Sequence, residues 1–226
     1  MLGFMKRLAA RLPASWRHEL QRLHYARQLR RGRFATHEPE FHKLSDWIRP
    51  GDWALDIGAN VGHYTSRLSQ LAGPNGRVLA FEPVPATFRL LAANTRLFQH
   101  PNVTLFNAAA SDAATLTGIE VPDGSTGPYL AHLLPNAALK VLCICVDQLD
   151  LPQPVRLVKI DAEGHELSVL RGMKELIDRD HPTLIVEVSN VETQQFLVGA
   201  GYSVERFPGS PNCVFRAVAT SQPVQR

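Results

Sequence analysis

Short apolar runs alternate along this chain with stretches whose apolar residues recur every three or four positions. The runs at 53–57, 77–81, 103–106, 155–160 and 183–188 have the uninterrupted character of strands buried on both faces. Between them, residues 64–71, 87–98, 166–177 and 191–200 carry helical spacing. An earlier helix is predicted over 37–48, with Phe41, Leu44, Trp47 and Ile48 on one side, stopped by the turn Arg49-Pro50-Gly51-Asp52. Two last strands, 202–206 and 212–218, are joined by a turn at 208–211. That link is too short for a parallel crossover, so the pair must be antiparallel. The pattern predicts an α/β fold: an open, mostly parallel sheet covered by helices on both faces, with one strand reversed near its edge. Residues 111–140 fit no element, because Gly118, Pro122, Gly124, Gly127, Pro128 and Pro135 break every periodicity.

Composition narrows the class. With 226 residues, 45% of them hydrophobic and 20% charged, the chain suits one soluble domain with its own core. No apolar run approaches the roughly 20 residues of a membrane span. Cys143, Cys145 and Cys213 are odd in number and lack a paired metal spacing, which points to a reducing compartment. Cys143 and Cys145 share one face of a strand, the pattern of ordinary core packing.

Charge divides the chain unevenly. The first 33 residues carry nine Lys and Arg against the single acid Glu19, while the remainder is mildly acidic. The expected plan is a basic helical arm at 1–36, a globular domain at 37–220 and a tail at 221–226. Within the arm, Trp16, Leu20 and Leu23 stand at helical spacing among arginines. Either this is an amphipathic helix packed on the domain with its charges solvated, or it meets an anionic membrane surface or an acidic partner. Lys6, Arg7 and Arg11 interrupt any signal-peptide core, although an Arg-rich, acid-poor arm also fits an organelle transit peptide. The expected location is cytoplasmic, with the arm able to bring the protein to a membrane. The body lacks an aromatic-studded basic surface, so nucleic acid is not an expected partner.

Ligands of open parallel sheets bind beyond the carboxyl ends of the strands. Polar residues collect there: Asp56, Gly58, Asn60 and Gly62, then Glu82, Asn107, Ser111 and Asp112, then Asp161, Glu163, His165 and Glu166, then Glu187. A dinucleotide loop needs G-x-G-x-x-G so that backbone can approach a pyrophosphate. Here Asn60 replaces the middle glycine and would crowd a pyrophosphate, and Asp56 places negative charge nearby. Glu82, 20 residues beyond Gly62, can accept both hydroxyls of a ribose. A ligand with a ribose, a positive centre and no phosphate fits, and S-adenosylmethionine is such a molecule.

At this point the chain resembles the FkbM family of S-adenosylmethionine-dependent methyltransferases. The resemblance rests on Glu38-Pro39-Glu40, Pro50-Gly51-Asp52, the loop from Asp56 to Gly62 with Tyr64 and Thr65, and Phe81-Glu82-Pro83. It continues through the block Lys159-Ile-Asp161-Ala-Glu163-Gly-His165-Glu166, Leu170-Arg-Gly-Met173 and Ile185-Val-Glu-Val188. Residues 37 to about 218 are covered; the arm and 111–140 match no family block. The resemblance implies a Rossmann-like class I methyltransferase with a seven-stranded sheet in the order 3-2-1-4-5-7-6. It implies a cofactor site made of Glu38, Asp56, Gly58, Ala59, Asn60, Gly62, Tyr64, Thr65, Glu82, Pro83, Ser111, Asp112 and Asp161. Ser111 and Asp112 would border the adenine, and Asp161 would face the amino and methyl end. It also implies methylation of a hydroxyl oxygen on a sugar, glycan or natural-product small molecule.

Such a transfer needs alignment and a base. His165 is the candidate base, since imidazole titrates near neutrality, with Asp161 as runner-up. His165, Glu163 and Glu166 can also be read as residues starting and capping the following helix. A divalent cation held by Asp161, Glu163, His165 and Glu187 is the alternative means of activating the hydroxyl. Two other classes compete: a nicotinamide-dependent oxidoreductase, disfavoured by Asn60, and a non-catalytic module recruited to an anionic surface by the arm.

Overall fold

The computed structural model describes residues 14–122 and 131–218. Lys6, Arg7, Arg11 and the 221–226 tail lie outside those residues, as does part of the 111–140 segment. Helix α1 (Ala14–Arg30) leads to a 3-10 turn (Pro39–Lys43) and the short α2 (Leu44–Trp47). Alternation then begins with β1 (Trp53–Ile57), α3 (His63–Ala72), β2 (Arg77–Phe81), α4 (Pro85–Thr95) and β3 (Val103–Phe106). Four strands follow: β4 (Ala108–Ser111), β5 (Thr115–Glu120), β6 (His132–Leu133) and β7 (Leu139–Cys145). The chain closes with β8 (Val155–Ile160), α5 (Glu166–Arg171), α6 (Lys174–Asp180), β9 (Thr183–Glu187), α7 (Val191–Gly199), β10 (Tyr202–Arg206) and β11 (Asn212–Ala217).

The main sheet has seven strands in the order β10-β11-β9-β8-β1-β2-β3. Counting only its own strands along the chain, this is 3-2-1-4-5-7-6. Every pairing is parallel except those of β11, which runs antiparallel to both β9 and β10. Neighbouring residues of each central strand feed opposite cores: Leu55 and Ile57 join one, and Ala54 joins the other. Both faces are therefore dry, which is why these strands read as continuous apolar runs. Ile57 sits opposite Phe81 on one side and Ile160 on the other. The loops after β1, β2 and β8 thus start at one level, and their connections diverge from β1.

Three features depart from the sequence reading. First, the unreadable 111–140 stretch contributes strands to a second sheet, β4-β7-β5-β6. Gly118 permits it, since a Cβ there would lie 2.2 Å from the carbonyl oxygen of Leu134. Second, the predicted helix 166–177 is broken. A Cβ at Gly172 would lie 1.9 Å from the Ser111 carbonyl oxygen, so the break lets this junction rest on the end of β4. Asp147 then caps α6, accepting the N–H groups of Glu175 and Leu176, both at 2.9 Å.

Third, α1 packs by a face other than the expected one. Tyr25 and Leu29 join Phe34, Val61, Leu90 and Phe98 in a small core, with Ala26 also buried. Trp16, Leu20 and Leu23 remain exposed. Among the described residues, no helix is long and apolar enough to cross a membrane. The three cysteines are free thiols.

Candidate functional site

The loop after β1 is shaped by backbone contact. Gly58 takes φ 77° in the left-handed region, and a Cβ on it would lie 1.8 Å from the carbonyl oxygen of Asp161. Only glycine fits there. Gly58 and Ala59 donate their N–H groups to the Phe81 carbonyl at 3.0 and 2.9 Å, which pins the loop to the end of β2. Asn60 is also left-handed at φ 51°, a conformation that asparagine tolerates better than most residues. Gly62 precedes α3 at φ 98°, a left-handed conformation that favours glycine, with the tip of the Leu91 side chain 2.7 Å from where a Cβ would lie.

Glu82, at the end of β2, is buried. Its Oε2 accepts the Asn60 N–H at 2.9 Å and its Oε1 accepts the Val84 N–H at 2.8 Å. Burial pushes its pKa up to about 7 against those two hydrogen bonds, and the charges of Asp56 and Asp161 raise it further. Each carboxylate oxygen retains a lone pair for a ligand donor.

Two clefts meet at Gly58, Asn60 and Asp161. The first, with about 790 Å³ of empty volume, runs over Glu82 and Pro83 between the apolar Val84, Ala109 and Ile119. The second, about 1010 Å³, is walled by Glu38, Asp56, Ala59, Tyr64 and Lys159. Among the described residues, the buried atoms Asn60 Oδ1 and Glu38 Oε2 have no hydrogen-bond partner. Unpaired buried acceptors are costly, and these two belong to residues lining the second cleft.

The acids behind the clefts are differentiated. Asp56 accepts the Thr65 hydroxyl at 2.5 Å, and burial lifts its pKa to about 6. Thr65 thus stands behind the wall and supports Asp56. The buried Lys159 ammonium lies 3.3 Å from Asp161 and 5.3 Å from the Tyr64 ring centre. Burial opposes charge on Asp161, but Lys159 and a hydrogen bond from Glu187 outweigh it and hold Asp161 below the ordinary range. The same shared hydrogen bond, with burial and the Asp161 charge, pushes Glu187 up to about 8. Within the pair, Asp161 is the more acidic member and Glu187 the more basic.

His165 starts α5 and lines the first cleft. Its Nε2 lies 2.8 Å from Ser111 Oγ, and that hydroxyl donates to Asp112 Oδ1 at 3.2 Å. Burial lowers the imidazole pKa, while the charges of Asp112 and Glu166 resist. Ser111 and Asp112 do not line the clefts; they stand behind His165, and Ala108, Ala109 and Ala110 form the wall beside them. Glu166 accepts from the Gly164 N–H of the loop before α5 at 2.9 Å and from the Ser189 hydroxyl at 2.7 Å, so it braces that loop rather than capping the helix. Glu163 lines the first cleft, its carboxyl raised by burial and by Asp161 and Glu166. Among the described residues, no group of three or more His, Cys, Asp or Glu side chains is arranged to hold a metal ion.

Two residues entered the sequence reading only as members of the family blocks, with no role assigned. Lys159 looked like part of a strand, and only its charge within an apolar run marked it. Glu40 is wholly buried and accepts from Tyr64, Ser210 and Asn212, so it ties the start of the domain to the turn before β11.

The chain is similar to several known proteins. The chain is 28% identical over 198 residues to the 31-O-demethyl-FK506 methyltransferase FkbM of Streptomyces tacrolimicus, covering 70% of this chain and 75% of that protein. It is 30% identical over 124 residues to the hexuronic acid methyltransferase AglP of Haloferax volcanii, covering 54% of this chain and 50% of the relative. In fold, it is similar to the methyltransferase FkbM structure from Methylobacillus flagellatus, at TM-score 0.55 and 15% identity over 78% of this chain and 50% of that one. The chain therefore spans about half the length of the latter two proteins. A SAM-dependent O-methyltransferase from Thermotoga maritima shares the fold at TM-score 0.50 and 11% identity, covering 83% of this chain and 68% of that one. The family described as the methyltransferase FkbM domain matches residues 56–209, from Asp56 through the glycine loop, Glu82 and the Asp161–Glu187 pair. The chain belongs to the FkbM methyltransferase family.

Proposed function

We propose that this protein transfers the methyl group of S-adenosyl-L-methionine to a hydroxyl oxygen of a sugar, glycan or natural-product small molecule. The observation that carries the reading is Glu82, fixed by Asn60 and Val84 beside a glycine loop whose middle position is the left-handed Asn60. When bound, the cofactor supplies an electrophilic methyl group on a sulfonium centre.

The chain's residues suit that molecule. Glu82 offers its remaining lone pairs to two ribose hydroxyls. Pro83, Val84, Ala109 and Ile119 give the apolar walls that an adenine ring needs. Asn60 Oδ1, Glu38 Oε2 and the charged Asp161 are acceptors for an ammonium group in the second cleft. Tyr64 and Ala59 close that cleft, and Asp56, braced by Thr65, adds negative charge. An asparagine at left-handed φ in place of the middle glycine disfavours a nicotinamide dinucleotide.

Proton bookkeeping favours His165 as base. The one hydroxyl proton of Ser111 is directed to Asp112, so Ser111 Oγ accepts from His165 Nε2–H. That tautomer leaves Nδ1 as the proton acceptor of a ring lining the cleft. Asp161 is the weaker candidate, since Lys159 and Glu187 hold its carboxylate at low basicity.

The relatives named for 31-O-demethyl-FK506 and for hexuronic acid support an oxygen acceptor on a natural product or sugar. Free thiols support a reducing, cytoplasmic setting. The test is incubation with S-adenosylmethionine labelled in its methyl group and with fractionated glycans and metabolites. Label should appear in a hydroxyl-bearing small molecule or glycan. Label confined to protein or nucleic acid would contradict the assignment.

A further inference from the structure

Helix α1 turns its larger apolar residues outward. Trp16 is 64% exposed, Leu23 51% and Leu20 46%, although Tyr25, Ala26 and Leu29 of the same helix pack inward. Spacings of four and three place the exposed residues on one stripe, and Arg27 continues it.

Positive charge surrounds the stripe. Arg17, Arg27, Arg30, Arg31 and Arg33 are all exposed, and none is ion-paired among the described residues. Glu19, the acid of this helix, is bound by Arg22 at 2.8 Å. Helix α4, against which α1 lies, adds exposed Arg89, and exposed Arg96 follows at its end. No acidic residue occurs between Glu82 and Asp112.

We propose that this face of α1 docks the protein on an anionic phospholipid bilayer, with the helix lying in the interface. Phosphate backbones of nucleic acid would satisfy the arginines but leave a tryptophan and two leucines in water. A lipid leaflet satisfies both: the apolar side chains enter the acyl boundary while guanidinium groups reach the headgroup phosphates. The docked segment is continuous with the cleft. Phe34 packs on His63 with ring centres 4.3 Å apart, and Thr36, Glu38 and His63 line the second cleft. The inference does not depend on the methyl-transfer reading.

The test is flotation of the full chain with vesicles of phosphatidylcholine and phosphatidylserine at roughly three to one, against phosphatidylcholine alone. Binding should be at least about tenfold stronger to the anionic vesicles and should fall with added salt. Two surface variants, Trp16→Ser/Leu20→Ser/Leu23→Ser and Arg27→Glu/Arg30→Glu/Arg31→Glu, should each lose about tenfold or more while melting like the parent. Trp16 emission, taken as the difference between the parent and Trp16→Phe, should shift to the blue on anionic vesicles. Absence of flotation, full flotation of the serine variant, or unchanged Trp16 emission would each overturn the proposal. So would equal or tighter binding to a short RNA that survives the serine substitutions.

Discussion

A Cβ on Gly58 would lie 1.8 Å from the carbonyl oxygen of Asp161, so the loops after β1 and β8 touch backbone to backbone where the two clefts meet. Gly58→Ala must therefore push these loops apart and also hold alanine at φ 77°. The expected cost is about 2–4 kcal/mol of stability, with more than about tenfold loss of cofactor-product affinity. Denaturant unfolding and calorimetry check both. A stability within about 0.5 kcal/mol of the parent would contradict the close approach.

Glu40 predicts a second structural cost. Its Oε1 receives Tyr64 at 3.2 Å, Ser210 at 2.9 Å and Asn212 at 2.6 Å, from elements far apart in the chain. Glu40→Ala leaves these buried donors without an acceptor and should destabilise by about 3 kcal/mol or more. Glu40→Gln, which keeps a carbonyl oxygen, should cost less in the same unfolding experiment.

The main sheet was legible because β1, β2, β3, β8 and β9 are apolar runs bounded by turn residues; 53–57, 77–81 and 155–160 match β1, β2 and β8 at both ends. The second sheet was not. Ala108–Ser111 is short and small-sided, β5 contains Gly118, and Leu116 faces Leu142 on an exposed surface, so burial does not mark the strands. Helical spacing ran unbroken through Gly172, whose contact with Ser111 is long-range and invisible to periodicity. In the site, the 20-residue spacing from Gly62 to Glu82 could be read from sequence. The hydrogen bond between Asp161 and Glu187 could not, since it exists only once β9 lies beside β8. Helix α1 shows the limit of spacing itself: Trp16, Leu20 and Leu23 do form one face, but Tyr25, Ala26 and Leu29 are the ones that pack.

His165 predicts a kinetic signature. Replacing it with alanine should lower turnover by about 10²–10⁴-fold and leave cofactor affinity within a few-fold. Burial lowers its pKa, and the neutral ring is the base, so the parent's rate should rise with pH below the ordinary histidine value and level off by neutrality. Ser111→Ala removes the group that orients Nε2. It should lower kcat about tenfold, shift that pH rise, and keep the affinity for cofactor. Parent-like turnover in His165→Ala would remove the residue from the mechanism.

The buried acids predict how stability depends on pH. Asp56, Glu82 and Glu187 are raised to about 6, 7 and 8 from ordinary values of 3.8, 4.5 and 4.5. Each binds its proton more tightly in the folded state than in the unfolded chain. Their stabilising contribution is complete below the unfolded values and is lost as pH rises through the folded ones. Asp161 is lowered, so its contribution is present above its unfolded value and is lost only as pH falls through the folded one. Burial lowers His63 to about 4, so its contribution is present above the ordinary histidine value and offsets these acids between about pH 4 and 6.5. The ligand-free protein should therefore lose stability chiefly between about pH 6.5 and 8. Glu187→Gln, which retains a donor to Asp161, should flatten the upper end, with a denaturation midpoint above the parent's at about pH 9 and near it at about pH 6.

The central claim is that Glu82 and the loop from Gly58 to Gly62 hold the methyl donor. Calorimetric titration of the full chain with S-adenosylhomocysteine tests it most directly, with NAD as the comparison. One molecule should bind per chain, NAD should not compete, and affinity should strengthen as pH rises through about 7, where Glu82 becomes charged. Glu82→Gln should bind at least about tenfold more weakly and lose most of that pH dependence. No heat with S-adenosylhomocysteine, or parent-like affinity in Glu82→Gln, would contradict the account.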